Sequence, residues 1–175
     1  KGPNLRYYKH FLLGVGWTIP VSDTTAEISI PGSVSLNLGL RHKWKLCNFF
    51  SIGLEENLGW NRYSIKQIEN KIYPDTFKHK SESMNFVKFG LGVYTRFNFG
   101  KRGNNIGKYL NIGARGNWYM LATHTTKDKI NDTRDIRRIK GMKYYEPFNY
   151  EVFCRLGWNR IALTVNYRML KLMKT

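Results

Sequence analysis

The feature that most constrains this chain is a long-range alternation of apolar and polar residues with a period of two. In residues 33–41 (SVSLNLGLR), the apolar positions are Val34, Leu36, Leu38 and Leu40. Successive side chains of a strand point to opposite faces, so this period is typical of strands with one apolar face. No segment has a helical period, and the chain is predicted to be all-β. The pattern predicts seven long strands at 10–19, 33–41, 49–61, 86–99, 109–122, 148–157 and 160–169.

The connections between these strands alternate in length. Residues 20–32, 62–84 and 123–146 are long and polar, whereas residues 42–48, 100–108 and 157–160 are short. Long loops at one end and tight turns at the other are typical of outer-membrane barrels. A chain of 175 residues suits a single domain. We therefore predict one domain over residues 1–175, an antiparallel up-and-down transmembrane β-barrel of about eight strands.

The glycines indicate which face is inside. Gly116 alone lies on the apolar face, whereas the polar face carries Gly14, Gly16, Gly39, Gly53, Gly59, Gly90, Gly92, Gly113 and Gly157. A solvated outer face gains nothing from glycine, but a narrow barrel interior needs small residues. We predict that the apolar face contacts lipid. Its residues include Leu36, Leu38, Leu40, Ile52, Leu54, Phe89, Leu91, Val93, Ile112, Val152, Leu163 and Val165. A soluble lipocalin-like carrier of an apolar ligand has the same alternation with the faces inverted, and it stays the alternative.

The polar face predicts a network of charged side chains in the barrel interior. Its members are Arg41, Glu55, Asn57, Lys88, Arg96, Asn111, Arg115, Glu151, Arg155, Asn166 and Arg168. Buried charges must be paired or hydrogen-bonded, so we expect a plug of ion pairs, with a small anion-selective pore as the alternative. Glu56 alone falls on the wrong face of its strand, and a β-bulge or a position at the rim would account for it.

Aromatic residues cluster near the strand ends on the apolar face. They are Trp17, Phe50, Trp60, Phe97, Phe99, Trp118, Phe148 and Tyr150. Membrane barrels carry such aromatic girdles at both interfaces. Their position agrees with a lipid-facing apolar surface.

The chain is strongly basic, with 29 Lys+Arg against 12 Asp+Glu and a net charge of +17. The loop 123–146 holds seven of the basic residues against four acids, and an exposed cationic loop fits contact with lipopolysaccharide phosphates or a protein partner. The candidate contacts are Lys127, Lys129, Arg134, Arg137, Arg138 and Lys140. The basic loops have few aromatic residues for stacking bases, so nucleic acid is not an expected partner.

No catalytic or metal-binding motif emerges from the sequence. The four histidines, His10, His42, His79 and His124, have no metal-ligand spacing and are expected to be ordinary surface residues. Ser81, Ser83, His79 and Asp75 are close in sequence, but a flexible loop gives them no fixed geometry. Cys47 and Cys154 are expected to be free thiols, in a turn and on the apolar face. We expect a protein that is not an enzyme and has no cofactor.

The C-terminal half resembles a known family. The run KYLNIGARGNWYMLATHTTKDK, a basic loop and the run EPFNYEVFCRLGWNRIALTVNYRMLKLMK are similar to outer-membrane β-barrel proteins of Bacteroidota. That family has a strand of the type hLxhGhxG and an ending like NYxLTPLFK, in which Leu170 and Lys171 replace the usual Thr-Pro pair here. The similarity covers residues 85–175 well and the first half loosely.

The resemblance implies an outer-membrane location in a Gram-negative bacterium and a structural or accessory role. The group includes accessory barrels of the type IX secretion pathway, so other outer-membrane or periplasmic proteins are the expected partners, together with lipid and lipopolysaccharide. Such barrels have an even number of strands. In the family a further strand follows a KGP segment, which stands here at residues 1–3. We expect the closing strand to be missing from the sequence as given, and an unusual order of strands along the chain is the alternative.

Overall fold

A computed structural model describes residues 2–19, 28–67, 80–99, 105–130, 133–141 and 145–170. The described residues form strands and turns, without a helix. Nine strands are present in these ranges: β1 (Tyr7–Trp17), β2 (Ile28–Ser29), β3 (Val34–Lys45), β4 (Phe50–Ile65), β5 (Ser81–Phe99), β6 (Lys108–Ile130), β7 (Thr133–Lys140), β8 (Phe148–Trp158) and β9 (Ile161–Arg168). The prediction of an all-β fold is confirmed.

All strands belong to one antiparallel sheet with the main order β1-β3-β4-β5-β6-β8-β9. Two short strands lie off this path, β2 against the end of β4 and β7 against the outer part of β6. Within the described residues β1 pairs only with β3 and β9 only with β8. The sheet is therefore an open half-barrel with two free edges, and the predicted up-and-down order of long strands is confirmed.

Burial alternates along the strands as the sequence pattern predicts. In β4, Ser51, Gly53 and Glu55 are buried, whereas Ile52 and Leu54 are exposed. The concave face is thus polar over most of its height. An apolar cluster fills it toward the end with the long connections, formed by Tyr63, Ile65, Met84, Phe86, Tyr119 and Ala122.

The region from 123 to 146 differs from the loop that the sequence predicts. β6 continues to Ile130 and turns back into β7, so that Thr123 pairs with Lys140 and Ile130 pairs with Thr133. β8 pairs with β6 only as far as Trp118, so this hairpin extends past the end of β8. Polar residues occupy both faces of the hairpin, which removes the hydrophobic alternation but not the backbone pairing.

The predicted explanation of Glu56 by a bulge or a rim position is wrong. The pairing of β4 with both neighbours runs without a shift through Glu56, which lies opposite Leu40 and Leu91. The register shift of the sheet lies instead between Val87 and Lys88, where β6 contributes one extra residue, Met120. Glu56 is therefore a regular strand position whose side chain points outward.

Candidate functional site

The buried carboxylate of Glu55 is the centre of the concave face. Arg41 on β3 donates a hydrogen bond to its Oε2. Arg115 on β6 lies 2.6 Å from Oε1, and Arg155 on β8 lies 3.1 Å from Oε2. Three guanidinium groups from three strands thus converge on one carboxylate in the part of the chain that the structure describes.

A second carboxylate extends this network. Glu151 on β8 lies 3.1 Å from Lys88 Nζ and 2.9 Å from Arg115 Nη1. Arg115 therefore bridges Glu55 and Glu151. We call these six side chains the charged plug: Arg41, Glu55, Lys88, Arg115, Glu151 and Arg155.

The remaining inward arginines use aromatic and amide partners. Arg96 donates a 2.9 Å hydrogen bond to Asn111 Oδ1, and its guanidinium lies 4.1 Å from the ring centroid of Tyr109. Arg168 donates a hydrogen bond to the hydroxyl of Tyr63. Because guanidinium groups stack on aromatic faces as well as forming ion pairs, the interior accommodates more cations than carboxylates.

The structure brings most of the predicted interior residues together. Nine of them are buried, namely Arg41, Glu55, Asn57, Lys88, Arg96, Asn111, Arg115, Glu151 and Arg155. Arg168 is only half-buried and Asn166 is exposed. These two lie on β9, an edge strand that pairs only with β8 among the described residues, so one side of its inner face is uncovered there.

His124 departs from its predicted place in a surface loop. It lies on β6, is buried, and its Nε2 is 2.6 Å from Glu82 Oε1. Gln67 donates a 2.9 Å hydrogen bond to the other oxygen of Glu82. The sequence reasoning missed Glu82 as an interior acid because it placed this part of the chain in a loop.

Two of the four loop residues Ser81, Ser83, His79 and Asp75 fall within the described part of the chain. Ser81 and Ser83 belong to strand β5, and Ser83 is buried. His79 and Asp75 lie outside the described residues. Among the residues that the structure describes, no three His, Cys, Asp or Glu side chains are grouped to hold a metal ion.

The candidate basic contacts lie on the β6–β7 hairpin. Arg137 and Arg138 are exposed, together with the neighbouring Ile136 and Ile139, and Lys127 is half-buried. Lys129, Arg134 and Lys140 belong to the same two strands, but their side chains lie outside the described part of the structure. The described part of the hairpin thus exposes adjacent basic and apolar side chains.

The convex face carries the predicted apolar residues. Eleven are exposed, from Phe89 at 36 % to Leu163 at 70 %, and Leu40 is half-buried. Aromatic side chains pair toward both ends of this face. Phe50 and Phe97 lie 5.4 Å apart beside the short turns, and Trp118 stacks on Phe148 at 6.1 Å toward the other end.

The fold and the site define an antiparallel β half-barrel with a charged interior and an apolar outer wall. Neither a family model, nor a curated protein, nor a solved structure matches this chain. Within the described ranges, no helix has the length and apolar character needed to cross a membrane.

Proposed function

We propose that this protein is a non-enzymatic outer-membrane β-barrel of a Gram-negative bacterium. It acts as a structural or accessory subunit of an outer-membrane assembly, and the charged plug fills its interior. The observation that carries the proposal is the inverted distribution of polarity. Arg41 and Glu55 are fully buried, whereas Leu91 and Leu163 on the opposite face are exposed by 58 % and 70 %.

Lipid is the solvent in which such a wall is stable. Soluble monomers rarely expose a continuous apolar patch of more than a few hundred Å². The apolar belt on β4 runs from Phe50 to Trp60, a rise of about 33 Å along the strand at about 3.3 Å per residue. A strand tilt of about 40° reduces this to about 25 Å along the membrane normal, the height of the apolar band in outer-membrane barrels.

The two free edges support closure by an additional strand. Every backbone polar group in the bilayer must be paired, so free edges are not viable there. Seven strands alternate in direction along the main path, so β1 and β9 run the same way. An odd number of further strands is needed to keep every pair antiparallel, and we propose one strand, which gives a barrel of eight.

The concave face favours this proposal over the two alternatives. A carrier of an apolar ligand needs apolar side chains around its cavity, whereas the concave face at mid-height holds Arg41, Glu55, Arg115 and Arg155. An anion pore needs an open lumen. The ion pairs of the charged plug join β4 to β6 and β8 across the interior, which favours a filled barrel.

The accessory role is supported by the β6–β7 hairpin. Its exposed Arg137 and Arg138 can bind anionic groups, while Ile136 and Ile139 offer apolar contact beside them. Lipopolysaccharide phosphates and an acidic surface of another outer-membrane or periplasmic protein both fit this chemistry. A filled barrel acts through its ends or its outer wall, so we assign the binding role to these surfaces.

The two native cysteines provide the test of membrane insertion. Both thiols are exposed on the protein surface. Cys47 lies in the β3–β4 turn, whereas Cys154 lies opposite Ile112 and Val165 in the apolar wall. In water a hydrophilic maleimide therefore reaches both thiols, and in a membrane it reaches only Cys47.

The experiment is to assemble the full chain in lipid nanodiscs and to measure the labelling of each thiol by mass spectrometry. We expect a sulfonated maleimide to modify Cys47 and to spare Cys154, and a lipid-soluble maleimide to modify Cys154. Unfolding in urea, as a control, should expose both thiols equally. Equal labelling of the two folded thiols, with a monomeric protein in detergent-free buffer, would exclude the membrane proposal and favour the soluble carrier.

A further inference from the structure

Glu56 places a carboxylate in the middle of the apolar outer wall. Its side chain is 51 % exposed. Its nearest outward neighbours are four leucines, Leu54 and Leu58 on its own strand and Leu40 and Leu91 opposite it on β3 and β5. If the wall faces lipid, no water solvates a carboxylate in this position.

The depth of Glu56 excludes an explanation by the membrane interface. Trp60 lies four residues along β4 and Phe50 six residues back. These separations are about 13 Å and about 20 Å along the strand, or about 10 Å and about 15 Å along the membrane normal at a tilt of about 40°. A glutamate side chain is too short to bring its charge from this depth to the headgroups.

Within the described part of its own chain, the carboxylate of Glu56 has only a weak ion-pair partner. The basic group nearest to the carboxylate in the described structure is the imidazole of His42, whose Nε2 lies 3.9 Å from Oε1. His42 also interacts through Nδ1 with the hydroxyl of Tyr7, at 2.7 Å. A separation of 3.9 Å is longer than a hydrogen bond, so the carboxylate retains most of its acceptor capacity.

A cation lies on the same wall, two strands away. Lys9 on β1 is exposed and points outward between Tyr7 and Phe11. Phe11 pairs with Leu40, and Leu40 pairs with Glu56. Phe11, Leu40 and Glu56 thus lie side by side across three strands, and Lys9 is the next outward-facing residue to Phe11 on β1. The wall formed by β1, β3 and β4 carries the carboxylate of Glu56 and the ammonium group of Lys9 on an otherwise mainly apolar surface. Its other basic side chains are the imidazole of His42 beside Glu56 and the guanidinium group of Arg62, which lies beyond Trp60 at the end of the wall.

We propose that this wall binds a second copy of the chain within the membrane, with Glu56 of each copy against Lys9 of the other. This inference rests on the proposed membrane function. A two-fold axis along the membrane normal keeps each residue at its own depth and makes the contact isologous. Each carboxylate then meets an ammonium group, and the four leucines around it pack against the partner wall.

A second copy fits the wall better than lipid alone does. Acyl chains offer no hydrogen-bond donor to a carboxylate, and lipopolysaccharide phosphates carry the same sign of charge. When this surface meets a second copy of itself, Glu56 and Lys9 of one copy can each face the opposite charge of the other, and the two pairs also fix the relative position of the copies. This charge complementarity favours a second copy as the occupant.

The experiment measures association of the full chain in phosphatidylcholine vesicles. Cys154→Ser leaves Cys47 as the single site for donor and acceptor dyes, and energy transfer is followed as protein is diluted into lipid. We expect E56K and K9E each to weaken association at least about ten-fold, as close charge pairs do at interfaces. The double reversal K9E/E56K should restore it to within about three-fold.

Two further variants guard against misfolding. E56L removes the charge and leaves an apolar wall, so it should fold and still lose association. K108E reverses a charge at the rim of β6, away from this wall, and should leave association unchanged. Heat-modifiable mobility on gels reports whether each variant is folded.

Two kinds of result would contradict the proposed pairing of Glu56 with Lys9 between copies. A monomeric wild type at all dilutions, or a dimer that E56K leaves intact, would overturn the inference. Weakening by both single reversals without recovery in the double variant would overturn the Glu56–Lys9 pair and indicate a different partner. These results are distinct from failure of the membrane proposal itself, because that proposal is tested separately by the shielding of Cys154 in the native chain in nanodiscs.

Discussion

The ring of Tyr109 on β6 fills the space directly in front of Gly157, its cross-strand partner on β8. A Cβ atom at residue 157 would overlap this ring. On the outer face, a Cβ at Gly116 would only touch the ring of Tyr150, at 3.9 Å. The two glycines therefore report on different environments, a crowded interior and an open exterior.

This contrast predicts a difference in stability between two equivalent substitutions. Gly157→Val should lower the free energy of unfolding by about 1–3 kcal/mol, because overpacking forces Tyr109 out of position. Gly116→Val should change it by less than about 0.5 kcal/mol. Urea denaturation followed by tryptophan fluorescence measures both values. Equal effects of the two variants would contradict the crowded interior.

Glu55 and Glu56 are adjacent in the chain and point to opposite faces of β4. Glu55→Gln should destabilise the protein by about 3–5 kcal/mol, because it leaves the guanidinium groups of Arg41, Arg115 and Arg155 without their shared carboxylate. Glu56→Gln should change the free energy of unfolding by less than about 0.5 kcal/mol in dilute detergent, where the chain is monomeric. Denaturant midpoints of the pair provide the comparison, and a larger loss for Glu56→Gln would show that the faces are misassigned.

Substitution of a wall leucine by arginine has opposite effects in lipid and in water. Leu91 is 58 % exposed on the convex face. In a bilayer, Leu91→Arg should cost about 2–4 kcal/mol near the midplane. In a water-soluble protein the same change replaces exposed apolar surface by charge and should improve solubility without loss of stability. The free energy of unfolding of Leu91→Arg in vesicles and its solubility in detergent-free buffer, each compared with the wild type, distinguish a membrane protein from a water-soluble one.

The exposed arginines of the basic hairpin should bind anions without contributing to the stability of the sheet. Replacement of Arg137, Arg138 and Lys140 by Ser should leave the protein folded, because Arg137 and Arg138 are exposed and exposed side chains carry few packing contacts. Binding to lipopolysaccharide should weaken, and the remaining binding should depend less on salt concentration. Calorimetric titration at two salt concentrations measures this change.

The control for the hairpin is an exposed arginine at the opposite end of the sheet. Arg160 lies in the tight β8–β9 turn. Arg160→Ser removes the same type of charge and should leave lipopolysaccharide affinity unchanged. An equal loss for Arg160→Ser would show that net charge, rather than the hairpin, determines binding.

The strands and their faces were predictable because the alternation is a property of each strand by itself. Leu36 and Leu38 identify their face without reference to any other strand. The ion pairs were not predictable in this way. The pattern places Glu55 and Arg155 in the interior, but their 3.1 Å contact depends on the register of every strand between β4 and β8.

The hairpin and His124 were missed for a different reason. Residues 123–130 carry polar side chains on both faces, threonine and lysine on one and histidine, threonine and aspartate on the other, so hydrophobic periodicity gives no signal there. Backbone pairing with β5 as far as Lys127, and with β7 on the other side, nevertheless continues the strand, and the pairing with β5 positions His124 beside Glu82. For Glu56 the sequence pattern correctly identified a polar residue on the apolar face. The predicted cause was wrong, because the structure shows no backbone irregularity at this position.

The convergence of three arginines on Glu55 also has a kinetic consequence. Its partners lie 14, 60 and 100 positions away along the chain. Because a contact between distant segments carries a larger loop-closure entropy cost and slows folding, Arg41 is the partner that Glu55 meets at least cost, and Arg155 is the partner that requires most of the sheet to be in place. The β3–β4 hairpin holds one cation against Glu55, and the arrival of β8 completes the set. A chain interrupted before β8 would keep Arg41 and Arg115 against Glu55 but would lose Glu151, the acid beside Lys88, so the last hairpin supplies the second carboxylate that the cations of the concave face require.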